Sequence, residues 1–389
     1  KAKAIVDSWI DACPRERGGV AWDPYVISMR IVSWLAFRAE LDDALRTDDA
    51  FCERINASLA EQYVHLSQHL EKDLLANHYL ENLKALAILA CYFGDRKTLE
   101  LALPMLKTQV NEQVLDDGMH FELSPMYQKI VLEDLMRAAI VLRDSGFGEH
   151  AEAFKLQQMC DCLYSLERNT NRTPLFNDSG DNVAKHKDAL LACAKERFGT
   201  IPRYREDFPD AGYYLMERDC GGRVVKMVFD AGNPGPEYAM GHAHCDALSF
   251  EVFIDGEPWI VNCGTYAYQD PLRLELKRTA SHNTVMVDGC EQSECWASFR
   301  VGRRSSSVFA AREDGILSGS IVDARGWTVS RSVSLDGEIL CVVDKVASGK
   351  DLDCFWHFAF GEPPSIGDGA QAKARSSLSN YSPDFGCLA

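Results

Sequence analysis

The feature that most constrains the fold is a change of hydrophobic period partway along the chain. From Lys1 to about Gly199, apolar residues recur at the spacing of one helix face. Val26-Ile27, Met29, Ile31-Val32 and Trp34-Leu35 follow this rule, as do Phe51–Leu70, Ala76–Phe93, Leu99–Val114 and Ala151–Leu166. Gly94 reads as a helix stop, and Ser124-Pro125 as a helix start with a capping hydroxyl and a proline in the first turn. From Tyr213 onward, Val224–Phe229, Ser307–Ala311, Thr328–Val333, Ile339–Val346 and Cys354–Phe360 read as strands separated by Gly and Asp turns. The switch predicts an α+β chain of two domains. Residues 1–205 form a helical domain, and residues 206–389 form an antiparallel β-sandwich, with the boundary near Pro202–Gly212. Antiparallel helices of about 15 residues suit a bundle and an α/α toroid equally.

The 389 residues suffice for two cores. No apolar run approaches the ~20 residues of a membrane span. A net charge of −17 argues against a nucleic-acid partner. It does not exclude acidic sugars, because an acidic body can carry a local basic patch. The 14 cysteines show no paired CxxC spacing, and Cys160-Asp161-Cys162 stands alone. That usage suits reduced, buried thiols and leaves a cytoplasmic location open. The chain starts at Lys1 inside a helical pattern with no initiator Met, and its end at Cys387-Leu388-Ala389 looks arbitrary, so it reads as a fragment.

Chemistry-bearing residues concentrate between Gly241 and Val287. His242, His244 and Asp246 alternate, so in a strand they share one face. Leu248–Ile254 and Trp259–Val261 follow, split by the turn Asp255-Gly256, and lead to Asn262 and Gly264-Thr265-Tyr266. His282-Asn283-Thr284 opens another strand-like run. Three neighbouring strands would then bring polar groups to one end of a sheet, and because His and carboxylate ligands commonly build zinc sites, a metal is the natural first thought. His-x-His-x-Asp also begins the metallo-β-lactamase signature. However, Ala247 stands where that signature has a second histidine, and the segment runs on as a strand.

In the helical half, Asn77-His78 opens an otherwise apolar helix. Glu122 and Tyr127 belong to a polar loop that runs into a helix N-terminus, where free N–H groups favour anions. Asn177-Asp178-Ser179 forms a polar loop between apolar flanks. Each has a plain structural reading: a helix cap, a half-buried aromatic, a turn.

Together these segments resemble the heparinase II/III-like polysaccharide lyases, a superfamily that includes heparan sulfate, heparin and alginate lyases. The resemblance rests on Asn77-His78, Ser124-Pro125-Met126-Tyr127, Asn177-Asp178-Ser179, Gly241–Asp246, Gly264-Thr265-Tyr266 and His282-Asn283-Thr284, in family order. It implies an incomplete α/α toroid followed by an antiparallel β-sandwich, with the active site in the cleft between them. It implies that Asn77 and His78 bind the uronate carboxylate, and that Tyr127 and His242 are the acid and base. Glu122, Asn177, Asp178 and Tyr266 are expected to contact substrate. The resemblance further implies zinc held by His244, Asn262 and His282. Asn262 departs from the usual aspartate and removes the negative ligand. A periplasmic or secreted location also follows from the resemblance.

A uronate lyase removes the C5 proton and expels the 4-linked oxygen. Neutralising the carboxylate lets an enolate-like state form. Tyr, with an ordinary pKa near ~10, suits the acid, and a nearby cation can make it a base. His suits the base at neutral pH. The runner-up is a glycoside hydrolase on an α/α scaffold, for which Glu122 and Asp178 are the nominated carboxylates. A third reading is a non-catalytic relative that binds polysaccharide.

Overall fold

The computed structural model describes residues 1–40, 46–337, 339–349, 353–361 and 385. The chain divides into two compact units. One comprises residues 1–113 and 133–155, and the other residues 114–132 and 156–389.

The first unit is helical. Among its described elements are Ala2–Ala12, Pro24–Ala39, Asp49–Gln68, Ala76–Phe93 and Arg96–Gln113. Ala76–Phe93 has the bounds that its apolar run predicts. It stops at Gly94, which takes the left-handed φ of 68° that glycine adopts without strain. Its side chains from Tyr79 to Ala90 are almost all buried, so this is a core helix and not a surface one. Ile27, Ile31, Phe51, Ile55, Leu59, Leu86 and Leu89 build the core around it.

The second unit begins with a short polar loop and the first turns of the helix Pro125–Asp144. It continues through Leu156–Glu167 and Lys187–Phe198, a helix that the hydrophobic pattern does not single out because its apolar residues are spread around it. Strands follow. β1 (Asp207–Phe208), β2 (Tyr213–Cys220), β3 (Arg223–Asp230), β4 (Phe250–Ile254) and β5 (Glu257–Ile260) make one antiparallel sheet in chain order. β6 (Val285–Val287) pairs with β13 (Cys354–Trp356), and β7 (Glu294–Ala297) forms a small hairpin with β8 (Arg300–Gly302). β9 (Ser306–Glu313), β10 (Ile316–Val322), β11 (Thr328–Asp336) and β12 (Ile339–Ala347) make a second sheet. Met227, Phe229, Phe250 and Val252 from the first sheet share a core with Leu317, Ile321, Val329 and Val333 from the second. The two sheets thus pack face to face as a sandwich.

The fold is α+β, helices first and antiparallel sheet after, as the period switch predicts. One local expectation fails. His242, His244 and Asp246 do not alternate along a strand. Met240–His242 is a 3₁₀ turn, and residues 243–246 are irregular. The backbone there bonds to other loops and not to a ladder: His244 N donates to Asn177 Oδ1 at 3.0 Å, and Cys245 N to the Lys277 carbonyl at 3.0 Å. Likewise β6 pairs with β13 and not with the β4–β5 hairpin, so the three polar segments do not arise from neighbouring strands.

Candidate functional site

The second unit contains a polar cluster built around Asp178. This carboxylate is fully buried. Arg273 Nη1 and Nη2 each donate to one of its oxygens at 2.7 Å, a bidentate fork. His242 Nδ1 lies 2.7 Å from Oδ2, His244 Nε2 lies 2.9 Å from Oδ1, and Thr265 Oγ1 donates to Oδ1 at 3.1 Å. Burial alone would raise its pKa. The Arg273 guanidinium and the hydrogen bonds from the two histidines outweigh burial and hold it well below the usual carboxylate range.

The loop that carries Asp178 has further tasks. Asn177 sits at a left-handed φ of 54°, which Asn tolerates better than most residues. Its N–H donates to Asp246 Oδ2 at 2.9 Å, and its Nδ2 to the Leu123 carbonyl at 3.0 Å. Ser179 Oγ accepts from Met126 N at 3.2 Å, and Ser124 Oγ donates to the Asp178 carbonyl at 2.7 Å while accepting from Tyr127 N at 3.2 Å. The Asn-Asp-Ser loop therefore fixes both the helix start that bears Tyr127 and the loop that bears His242 and His244. Gly118 lets the preceding turn close. At φ 94°, a Cβ there would fall 2.2 Å from the Gln158 carbonyl oxygen.

Tyr127 and His242 meet. Their ring centroids are 4.4 Å apart. The Tyr127 hydroxyl is 2.9 Å from that of Tyr268. Burial, then the charge of Asp178, pushes Tyr268 well above the ordinary phenol value, so it stays a neutral hydroxyl beside the Tyr127 oxygen. The His242 side chain keeps 13% of its exposure, and its Nε2 lies 3.8 Å from Glu122 Oε2. Burial disfavours protonation of this ring, but the Glu122 and Asp178 carboxylates prevail and raise its pKa. His120, 3.9 Å from the same Glu122 oxygen, is driven the other way by burial and by His242, to about 3, and stays neutral.

Asn177, Asp178 and Glu122 were expected to touch substrate. All three are at least 96% buried, with Asn177 and Asp178 engaged by protein groups and Glu122 lying beside the two histidines. Tyr266 is half-buried, and Tyr268, two residues on, is the tyrosine that meets Tyr127. Asn77 and His78 belong to the first unit. Asn77 lies within the first turn of Ala76–Phe93, and the N-cap is Leu75. His78 Nδ1 is 3.1 Å from Glu71 Oε1, and its ring stacks on Tyr25 at 4.4 Å.

His244, Cys263 and His282 are all buried, and one donor atom from each lies within 4.8 Å of the others. These residues could hold a metal ion. The Asn262 side chain is turned to His282, with Oδ1 2.6 Å from Nδ1. Sequence reasoning missed Arg273, Cys263 and Tyr268. Arg273 sits in Leu-Arg-Leu-Glu-Leu, which looks like any amphipathic turn, although an arginine flanked by leucines was a usable signal.

The chain matches two family descriptions, Heparinase II/III N-terminus over residues 3–201 and Heparinase II/III-like, C-terminal over residues 200–381. It is 25% identical over 257 residues to a heparin-sulfate lyase of Pedobacter heparinus, covering 57% of this chain and 38% of that protein. It is 22% identical over 242 residues to a heparin-sulfate lyase of Bacteroides stercoris, covering 54% of this chain and 35% of that protein. The matched stretch thus spans little more than a third of either relative. Among solved structures, a mutant of the heparan sulfate lyase of Pedobacter heparinus superposes with a TM-score of 0.71 at 19% identity, covering 99% of this chain and 68% of that one. A heparinase III superposes with a TM-score of 0.73 at 17% identity, covering 100% of this chain and 70% of that one. These superpositions bear on the fold. With family matches that meet at residues 200–201 and together run through nearly the whole sequence, the chain belongs to the heparinase II/III-like family.

Proposed function

We propose that this chain is a polysaccharide lyase that cleaves a uronate-containing acidic polysaccharide by β-elimination, with Tyr127 and His242 as the catalytic pair. The observation that carries the reading is the Tyr127–His242 contact at 4.4 Å, in which the histidine is tied to a buried carboxylate through Nδ1 and has its Nε2 3.8 Å from Glu122 Oε2. In the reaction a base removes the C5 proton, the C4–O bond breaks, a C4=C5 double bond forms, and an acid protonates the departing oxygen. A protonated His242 beside the phenol favours its phenolate form, and the neutral Tyr268 hydroxyl can donate to that oxygen. This supports Tyr127 as the group that takes the C5 proton and returns it to the leaving oxygen, with His242 as its charged partner. Asn77 and His78 are the proposed donors to the substrate carboxylate, as the family resemblance implies.

The name shared by the curated relatives makes heparan sulfate the first substrate to test. A metal held beside His244 would steady that ring and, through Asp178, the orientation of His242. The hydrolase reading is less well supported. It needs one carboxylate free to attack or to activate water, and Asp178 is held by an arginine fork, two histidines and a hydroxyl. The test is turnover on heparan sulfate, alginate, hyaluronan and bacterial exopolysaccharides, followed by ultraviolet absorbance of the new double bond. Tyr127→Phe should keep the fold and lower turnover ~10²-fold or more. Near wild-type turnover in that variant ends this mechanism. Cleavage without an ultraviolet-absorbing product makes the chain a hydrolase.

A further inference from the structure

Zinc ligands in this family were expected at His244, Asn262 and His282, with the asparagine as a weak substitute for a carboxylate. The geometry points to a different third ligand. His244 uses Nε2 on Asp178 Oδ1 at 2.9 Å, and its Nδ1 has no hydrogen-bond partner. His282 uses Nδ1 on Asn262 Oδ1 at 2.6 Å, and its Nε2 likewise has none. Both rings are at most 2% exposed and their centroids are 5.3 Å apart. Two buried imidazoles thus each keep one nitrogen with nothing to bond, which is costly unless something binds there. The third donor in reach is the thiol of Cys263, next in sequence to Asn262 and 3% exposed; its Sγ lies 3.8 Å from His282 Nδ1 and donates to the Leu276 carbonyl at 3.0 Å, a bond that metal binding would replace.

We propose that His244, Cys263 and His282 form a site for a thiophilic divalent cation of the zinc class, and that Asn262 is a positioning residue and not a ligand. Two features of the residues support this assignment. First, charge: replacing the family aspartate with Asn262 removes an anionic ligand, and a Cys263 thiolate restores it one residue along. On binding, the Cys263 S–H bond breaks, an S–metal bond forms, and the proton leaves to solvent. Second, orientation: metal-bound histidines commonly give their other nitrogen to a carboxylate or carbonyl, which fixes the tautomer. Asp178 does this for His244, and the Asn262 amide oxygen does it for His282. Zinc–nitrogen and zinc–sulfur bonds of about 2.0–2.3 Å place tetrahedral ligand atoms roughly 3.5 Å apart, so donors within 4.8 Å need only a small contraction. The thiolate also changes which ions fit. Two imidazoles and a sulfur select zinc, cobalt or cadmium over magnesium or calcium.

The experiment titrates metal-stripped full chain with Co²⁺ and needs no substrate, so its outcome is independent of the lyase reading. Expected is a one-to-one complex with an intense near-ultraviolet sulfur-to-cobalt charge-transfer band. Cys263→Ser should bind cobalt far more weakly and lose that band. Asn262→Ala should keep the band while affinity falls about 10–100-fold, as for loss of a residue that orients a ligand. Circular dichroism of each variant separates loss of the site from loss of the fold, and Cys263→Ala serves as a second variant if the serine destabilises the core. Cobalt bound without the band, a band retained in both Cys263 variants, or no binding by the wild-type chain would each overturn the assignment. A band lost in Asn262→Ala but kept in Cys263→Ser would return the ligand role to Asn262.

Discussion

Each unit buries an ionic cluster, and the two differ in a useful way. In the first unit, Lys84 Nζ lies 2.6 Å and 2.5 Å from Glu81 Oε2 and Asp134 Oδ1, one cation between two carboxyls. In the second, Asp178 is one carboxylate among a guanidinium and two imidazoles. In the first cluster the Lys84 side chain is 1% and the Asp134 side chain 11% exposed, and every charge faces another group of the same unit. Burial pushes Glu81 upward, Lys84 opposes it, and Asp134 adds to it, with a raised value as the result. The second cluster ends in a ring that keeps 13% exposure and touches a phenol. Burial and ion pairing are common to both, so neither marks function. The difference is that the second cluster links a buried charge to a titratable ring in contact with a phenol.

The comparison is broken most forcefully at Asp178. Asp178→Asn leaves Arg273 buried without its counter-charge and should cost about 3–5 kcal/mol, read as a lowered denaturant midpoint, with turnover falling as well. The sign with pH follows from its depressed value. Its contribution is present above the ordinary carboxylate range and is lost as pH falls through the folded value. If stability is unchanged, the cluster is not the strut described here.

Lys84→Met should cost less, about 2–3 kcal/mol, because the two remaining carboxyls can hold protons where a guanidinium cannot lose one. Glu81 is already shifted upward, so the variant should be weakest at high pH and regain stability as pH falls. Turnover per folded molecule should not change. A large loss of kcat at equal folding would give the first cluster a role in the chemistry.

The smallest effect sharpens the second cluster alone. Glu122 raises His242, so the limb of kcat/KM that belongs to this ring should lie above the ordinary ~6.5. Glu122→Gln removes that charge and leaves the burial, so the limb should move to lower pH by up to about one unit, worth ~1.4 kcal/mol. A shift upward, or none, would remove Glu122 as the tuning group.

The legible parts of the chain are those where local pattern and final packing agree. Ala76–Phe93 is apolar on nearly every face and ends at a glycine, so its bounds follow from the residues alone. The switch near residue 205 is legible for the same reason. The loop Gly241–Asp246 is not. Its alternation of His, His and Asp mimics a strand face, but its backbone groups bond to Asn177 and Lys277, partners more than thirty positions away. Tyr268 could not be told from Tyr266, because two tyrosines separated by one residue differ only in which way a loop turns. Arg273 and Cys263 were hidden by their ordinary neighbours. Burial, which alone gives them meaning, is a property of the whole fold.

The Asp178 node also bears on how the chain acquires its site. Its partners lie 64, 66, 87 and 95 positions downstream. Each contact closes a long loop, and the entropy of closing it must be met before the contact stabilises anything. Helices form from neighbours in sequence and can appear early, whereas this junction waits until β4, β5 and the segment to Arg273 have found their places. The Asp178 junction is therefore a late product of folding, and it is complete only once the chain has reached Arg273.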